Sequence, residues 1–377
     1  MSRIVALVAG AAIFGFTWTV VVFTIVMPRG QSGPGRVSTI VTRTVRLVFT
    51  GAARLTKSYE RKDAILAPIG PVAVLAQLVV WVALFGIAFA LMLVTYTHDL
   101  GSAISQVVAA MFTLGQARSG QLTNDTITTI AGATGLIVVA LQIAYLPSLY
   151  AAFNRREVLT TMLTSRAGEP AWGPEILVRH QLVGITDALA DFYASWEQWA
   201  AEVSESHVSY PVLLLFRSPD PWSSWVLSLL SVMDAAAMHL ALQPESAPSQ
   251  ARMCLRMGYV ALRRISSSLG WQFDDDPFPD SPIKLTESEF AAAVALLDES
   301  GFPIERDVGS AWPHFRGWRV NYEDLAYRWA VRLVAPVAPW SGLRPGIAGG
   351  PVAPRRPSHR SPDDPFVFER PEFPSPG

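Results

Sequence analysis

The chain has 377 residues, of which 50% are hydrophobic and 16% charged, and its mean hydropathy is positive. That is too apolar for an ordinary soluble protein of this length, so part of it belongs in lipid. A formal charge of −1 excludes the broad basic surface that nucleic-acid binding requires, and the single cysteine, Cys254, cannot close an intramolecular disulfide.

The first element is an uncharged stretch at 4–27, longer than the roughly 20 residues that cross about 30 Å of hydrocarbon. A signal peptide competes with this reading. The apolar core is longer than the usual signal core and no small-x-small site precedes Pro28, so an N-terminal transmembrane anchor at 1–27 is expected. The next segment, 28–71, carries Arg29, Arg36, Arg43, Arg46, Arg54, Lys57, Arg61 and Lys62 against Glu60 and Asp63. This bias places it in the cytoplasm. Within it Val37, Ile40, Val41, Thr44, Val45 and Val48 recur at helical spacing, which fits either an interfacial helix on anionic headgroups or a solvated basic linker.

Two further apolar stretches follow, at 72–97 and 126–150, and both are long enough to span. Between them SAISQVVAAMFTLGQAR, at 102–118, begins as a short amphipathic helix and stops at Thr-Leu-Gly. Ala103, Val107, Val108, Ala110, Met111 and Phe112 form its apolar surface, interrupted by Ser105 and Gln106; it is too short to cross. Non-helical backbone inside a bilayer must be shielded by protein or line a cavity, because unsatisfied peptide groups in hydrocarbon cost several kcal/mol each. The competing reading of 98–125 is an extracellular loop with a small surface helix, which Gly101, Gly115, Gly120 and Asn124 also suit. Only Arg118 is basic in that connection, whereas Asn154, Arg155 and Arg156 follow the third span at once. The N-terminus and 98–125 are therefore expected outside, with everything after Phe153 inside, in a multi-pass cell-membrane protein.

The order span, short helix, Thr113-Leu114-Gly115, span resembles the pore module of the potassium-channel-like superfamily. Over about 60–335 the chain is similar to bacterial two-pore-domain-like potassium channel or ion channel family membrane proteins. The stretches that carry this likeness are YLPSLYAAFNRREV at 145–158, the following TSRAGEP, and HVSYPVLLLFRSPD at 207–220. The resemblance implies a filter built from the carbonyls of Thr113, Leu114, Gly115 and Gln116, with the Thr113 hydroxyl, replacing the water shell of a monovalent cation, K+ first. Ser105, Gln106, Met111 and Phe112 would belong to the pore helix, its negative C-terminal end aimed at the ion path. One such loop per chain requires a homotetramer. The sequence departs from the family filter after three residues: Gln116 stands where an aromatic ring packs the filter, and Ala117 where a second glycine is usual. In the third span Gln142 either lines a cavity or bonds a neighbouring helix, and Pro147 places a bend near an inner gate.

After a linker at 151–171, a cytosolic helical domain is expected at 172–340. Leu182, Ile185, Leu189, Phe192, Trp196, Trp199 and Val203 repeat in threes and fours, either as a core helix or as a self-assembly seam. Further helices are expected at 222–233, 254–265, 290–297 and 318–329. No catalytic constellation, cofactor motif or metal site is expected, so the chain is not read as an enzyme. His180, His207, His239 and His314 are scattered; His239, five residues after Asp234, reads as a packed histidine before a proton sensor. DDDPFPD at 274–280 fails the calcium-loop pattern at Phe278 and Ser281 and reads as a proline-broken acidic loop. With nine prolines in the last 35 residues, 341–377 is expected to be a disordered tail. The whole is an all-α membrane protein: an N-terminal anchor, a span–pore-helix–span module at 72–150, a helical bundle and a Pro-rich tail.

Overall fold

The computed structural model describes residues 3–26, 36–97, 99–112 and 120–342. Every regular element among them is helical, and four helical stretches are long and apolar enough to cross a membrane. The tail expected to be disordered, from 343 onward, lies outside the described residues.

Helix α1 (Arg3–Val21) continues as a π-helical turn over Val22–Val26. Its hydroxyls have no water to bond in an apolar setting, and they turn back on their own helix: Thr17 donates to the Ile13 carbonyl and Thr24 to that of Val20. α1 packs along α4 (Ile69–Thr97), which has Pro71 in its first turn, where a missing N–H costs nothing. Phe14 and Trp18 meet Phe85 and Phe89 edge-on or tilted, with ring centroids 5.3–5.8 Å apart. Gly10 permits this closeness, since a Cβ there would stand 2.6 Å from the Ala88 carbonyl oxygen.

The basic segment is helical as α2 (Arg36–Ala53) and α3 (Tyr59–Leu66). On α2, Val41 is buried toward the protein while Ile40, Leu47 and Val48 stand 57–64% exposed on the outer side. Helix α5 (Leu100–Met111) lies between α4 and α6 (Leu122–Ala167). With 46 residues, α6 is about 70 Å long, more than twice the hydrocarbon thickness. Its lower half therefore leaves the apolar zone and enters the bundle. This corrects the expected linker at 151–171: the chain there has no helix breaker before Gly168, whose φ of 75° ends the helix.

The bundle comprises α7 (Gly173–Val183), α8 (Leu189–Ser209), α9 (Trp225–Leu242), α10 (Ser249–Ser268), α11 (Glu287–Glu299), α12 (Val308–Arg319) and α13 (Glu323–Arg332). α9 is buried on nearly every side, wrapped by α7, α8, α10, α12 and α13: 94% of it is buried, against 28–39% of the apolar core of the other three stretches. Two expected helices are split. The seam from Leu182 breaks at Gly184, left-handed at φ 72°, so Leu182 and Ile185 are exposed and only Leu189 onward forms the core stripe of α8. That stripe, with Trp196, Trp199 and Val203 nearly inaccessible, is covered within the chain mainly by α10, with α6, the 211–215 turn and α9 adding to it. The 318–329 helix is interrupted before Glu323, where Asn321 donates through its side chain to the carbonyls of Gly317 and Trp318.

Two buried arginines, Arg156 and Arg319, and the half-buried Arg217 fasten the pieces. Arg156 on α6 pairs with Glu157 at 2.7 Å and donates to the carbonyls of Leu213 and Phe216 at 3.1 and 2.8 Å. Arg217 reaches Asp63 on α3 at 2.5 Å, together with the carbonyls of Leu333 and Val334. Arg319 bonds Asp234, Glu323, the Tyr327 hydroxyl and the Trp340 carbonyl. The planar five-donor guanidinium suits such multi-acceptor joints.

Candidate functional site

The sequence directs attention to the α4–α5–α6 hairpin. α5 starts at Asp99, whose carboxylate accepts the Ser102 amide at 2.7 Å and satisfies one of the helix's orphan donors. Ala103, Val107, Ala110 and Met111 then fall on one face and are buried between the two long helices. The other face holds Ile104, Val108 and Phe112 at 44–56% exposure, with Ser105 exposed and Gln106 half-buried. Two glycines of α6 receive the C-terminal end of α5. A Cβ on Gly132 would lie 3.1 Å from the Ala110 carbonyl oxygen, and one on Gly135 only 2.5 Å from that of Met111. The GATG stretch at 132–135 is the sequence signal for this close approach, and sequence reasoning passed over it.

Thr113, Leu114, Gly115 and Gln116, with Ala117, lie outside the described residues. Asn124, in the first turn of α6, is buried, and its side-chain oxygen has no hydrogen-bond partner among the described residues. The expected gate residues separate. Pro147 lies on the exposed side of α6 within an uninterrupted helix assignment. Gln142 is buried and faces inward, lining a cavity of about 440 Å³ shared with α2, α4 and the bundle; its Oε1 is unpartnered, as is Nε2 of Gln77, which also lines it.

The HVSYPVLLLFRSPD stretch proves to be the joint between hairpin and bundle. Tyr210 packs edge-on to Tyr145 of α6, with centroids 5.6 Å apart. Leu213 and Phe216 close a small apolar core with Val74, Leu149 and Ala152. Phe216 rests on α4 where Gly70 leaves no room for a side chain, its ring being 2.5 Å from where a Cβ would stand. His207 is fully buried; its Nε2 faces Arg156 Nη1 at 3.1 Å and its Nδ1 the Val203 carbonyl at 2.9 Å. Arg156 can only donate, so Nε2 accepts and the Nδ1 proton goes to Val203. Burial, reinforced by the Arg156 charge, holds His207 well below the ordinary imidazole value. His239 and Asp234 act apart from each other. His239 accepts from the Tyr193 hydroxyl at 3.2 Å and donates to Gln243 at 3.0 Å, while Asp234 serves Arg319 and the Tyr322 hydroxyl.

The class these features define is an all-helical protein with apolar helices of membrane-spanning length and a short helix folded between two of them. No family model matches the chain, and comparison with curated proteins and with solved structures finds no match.

Proposed function

We propose that this chain is one subunit of a pore-loop cation channel in a cell membrane, passing a monovalent cation, K+ first, along the axis of a homotetramer. The observation that carries the reading is the seat of α5. A short capped helix is held between two long apolar helices, with its carbonyl end laid on Gly132 and Gly135 and the Thr-Leu-Gly segment following directly in the chain. That end carries the negative pole of the helix, which favours a cation nearby. The apolar faces of α4, α5 and α6 that one chain leaves exposed are available for lipid and for sister subunits. On this reading the N-terminus and 98–125 lie outside, the bundle is cytosolic, and the 207–220 joint transmits its movements to α4 and α6.

A second reading keeps the architecture without conduction: a membrane-anchored sensory or interaction protein with a degenerate pore module. Gln116 and Ala117, in place of the aromatic and second glycine of the family filter, favour it. Purified full-length protein in liposomes decides. Cation flux that Thr113→Ala and Gly115→Ala alter, together with a tetrameric mass in detergent, is expected; a monomer, or no flux across voltage and pH, supports the second reading.

A further inference from the structure

The cavity of about 440 Å³ beneath the hairpin has an uneven chemistry. Arg43 and Arg46 of α2 and Arg332 of α13 line it, and among the described residues no carboxylate side chain does. Among the described residues none of the three is in an ion pair. The fourth arginine on the wall, Arg217, is already committed to Asp63 and to two carbonyls. Arg332 is held over the rings of Trp271 and Trp329, 5.6 and 5.9 Å from their centroids, so its position is fixed by packing. Burial, with Arg46 adding repulsion, brings Arg332 down to about 10; Arg46 is lowered too, by burial and by Arg43. Arg46 and Arg332 are half-buried and Arg43 is exposed at the cavity's edge; like charges gathered there, with no counter-charge among the described residues, repel one another, and an anion removes that cost.

The remaining wall says which kind of anion. Gln77, Trp81 and Trp225 line the cavity, at least nine-tenths buried, and each carries an N–H donor without an acceptor. Against these three and the arginines stands one unpartnered side-chain amide oxygen on the wall, Gln142 Oε1, so donors are in excess and the site suits an acceptor-rich group such as a phosphate. Beside them Leu66, Ile69, Ala73, Val74 and Leu214 make an apolar wall. The cavity lies where α2, with Ile40, Leu47 and Val48 exposed on its outer side, meets the lower part of α4 and α6. Basic and apolar faces on one helix at the foot of spanning helices are the arrangement of a headgroup-level element.

We propose that this cavity is a binding site for an anionic phospholipid, with Arg43, Arg46 and Arg332 taking the phosphate and the apolar wall taking the start of the acyl chains. The site joins α2 to α13, so an occupied cavity ties the membrane foot to the bundle.

The test uses full-length protein in a neutral detergent, with native mass spectrometry and thermal unfolding read against phosphatidylglycerol, phosphatidylcholine, glycerol phosphate and inorganic phosphate. Phosphatidylglycerol should bind tightest and raise the melting temperature. Arg46→Gln with Arg332→Gln should weaken it about tenfold or more, while Arg264→Gln, half-exposed on the bundle surface, should change nothing. The rise in melting temperature that phosphatidylglycerol gives the parent should be lost in the double variant, whatever the variant's melting temperature without lipid; an equal rise in the two would assign these arginines a purely structural role. Equal binding of phosphatidylcholine, undiminished lipid binding by the double variant, or binding of the soluble phosphates alone would overturn the proposal. No arm requires ion flux, so the outcome is separate from that of the channel reading.

Discussion

At the scale of single residues, charge in this protein is spent on joints. Arg156 follows the third apolar stretch and reads from sequence as a charge that keeps the chain inside, yet it is 1% exposed and holds α6 to the 211–216 turn. A basic residue flanking a span looks the same in sequence whether it meets headgroups or carbonyls 57 residues away, so this role was illegible. His207 depends on it and makes the joint sensitive to acid. The folded state keeps His207 neutral well below its usual value near 6.5, so below that pH the unfolded chain binds the extra proton and the folded chain does not. Stability then rises with pH through this window and falls on acidification from about 6.5 down to the folded value, by at most about 1.4 kcal/mol per pH unit for this one group. Urea unfolding followed by tryptophan fluorescence between pH 7 and 5 should show that slope. His207→Gln, which keeps an acceptor for Arg156 and cannot titrate, should flatten it; an unchanged slope would assign the acid sensitivity elsewhere.

At the scale of elements, the hairpin rests on backbone meeting backbone, and glycine position decides what each helix tolerates. Gly135 leaves a Cβ 2.5 Å from the Met111 carbonyl oxygen, whereas Gly15 on α1 has nothing within 4 Å of that point. Gly135→Ala should push α5 from its seat and lower stability by about 1–3 kcal/mol, read as a fall in the melting temperature of detergent-solubilised protein. Gly15→Ala should be neutral or stabilise by up to about 1 kcal/mol. Equal effects would mean that the α5 seat yields freely. The long helices were legible because length and uninterrupted apolar character need no tertiary information, and α5 was legible because its buried residues fall in steps of three and four. The breaks were harder. Leu182 and Ile185 stay in phase with Leu189 across the turn that separates α7 from α8, and the one marker was Gly184. Between α12 and α13 no glycine or proline marks the stop, and the signal was the short polar Asn321.

At the scale of the molecule, composition and enclosure disagree over α9. By length and hydropathy it qualifies as a span; by position it is the centre of a bundle, 94% buried within the chain. Enclosure wins on energetic grounds. A helix already covered on every side gains nothing from lipid, and α9 carries Asp234, bonded to Arg319 on α12, which crossing alone would strand in hydrocarbon. The sequence reading has a helix here, at 222–233 within the domain after the third span, from the three-and-four spacing of its apolar residues. The cavity at the foot of the hairpin was not legible, since it needs Arg43 and Arg332 brought together from nearly 300 residues apart. Both ends of α9 should consequently face the same compartment. Single cysteines replacing Pro219 and Pro244, exposed on either flank, in a chain whose buried Cys254 is changed to alanine, can be labelled in oriented vesicles with a membrane-impermeant maleimide. Both are expected to react from one side and to be protected together from the other. Labelling from opposite sides would put α9 across the bilayer, turn everything after Leu242 to the other face, and separate Arg332 from the helices it now approaches.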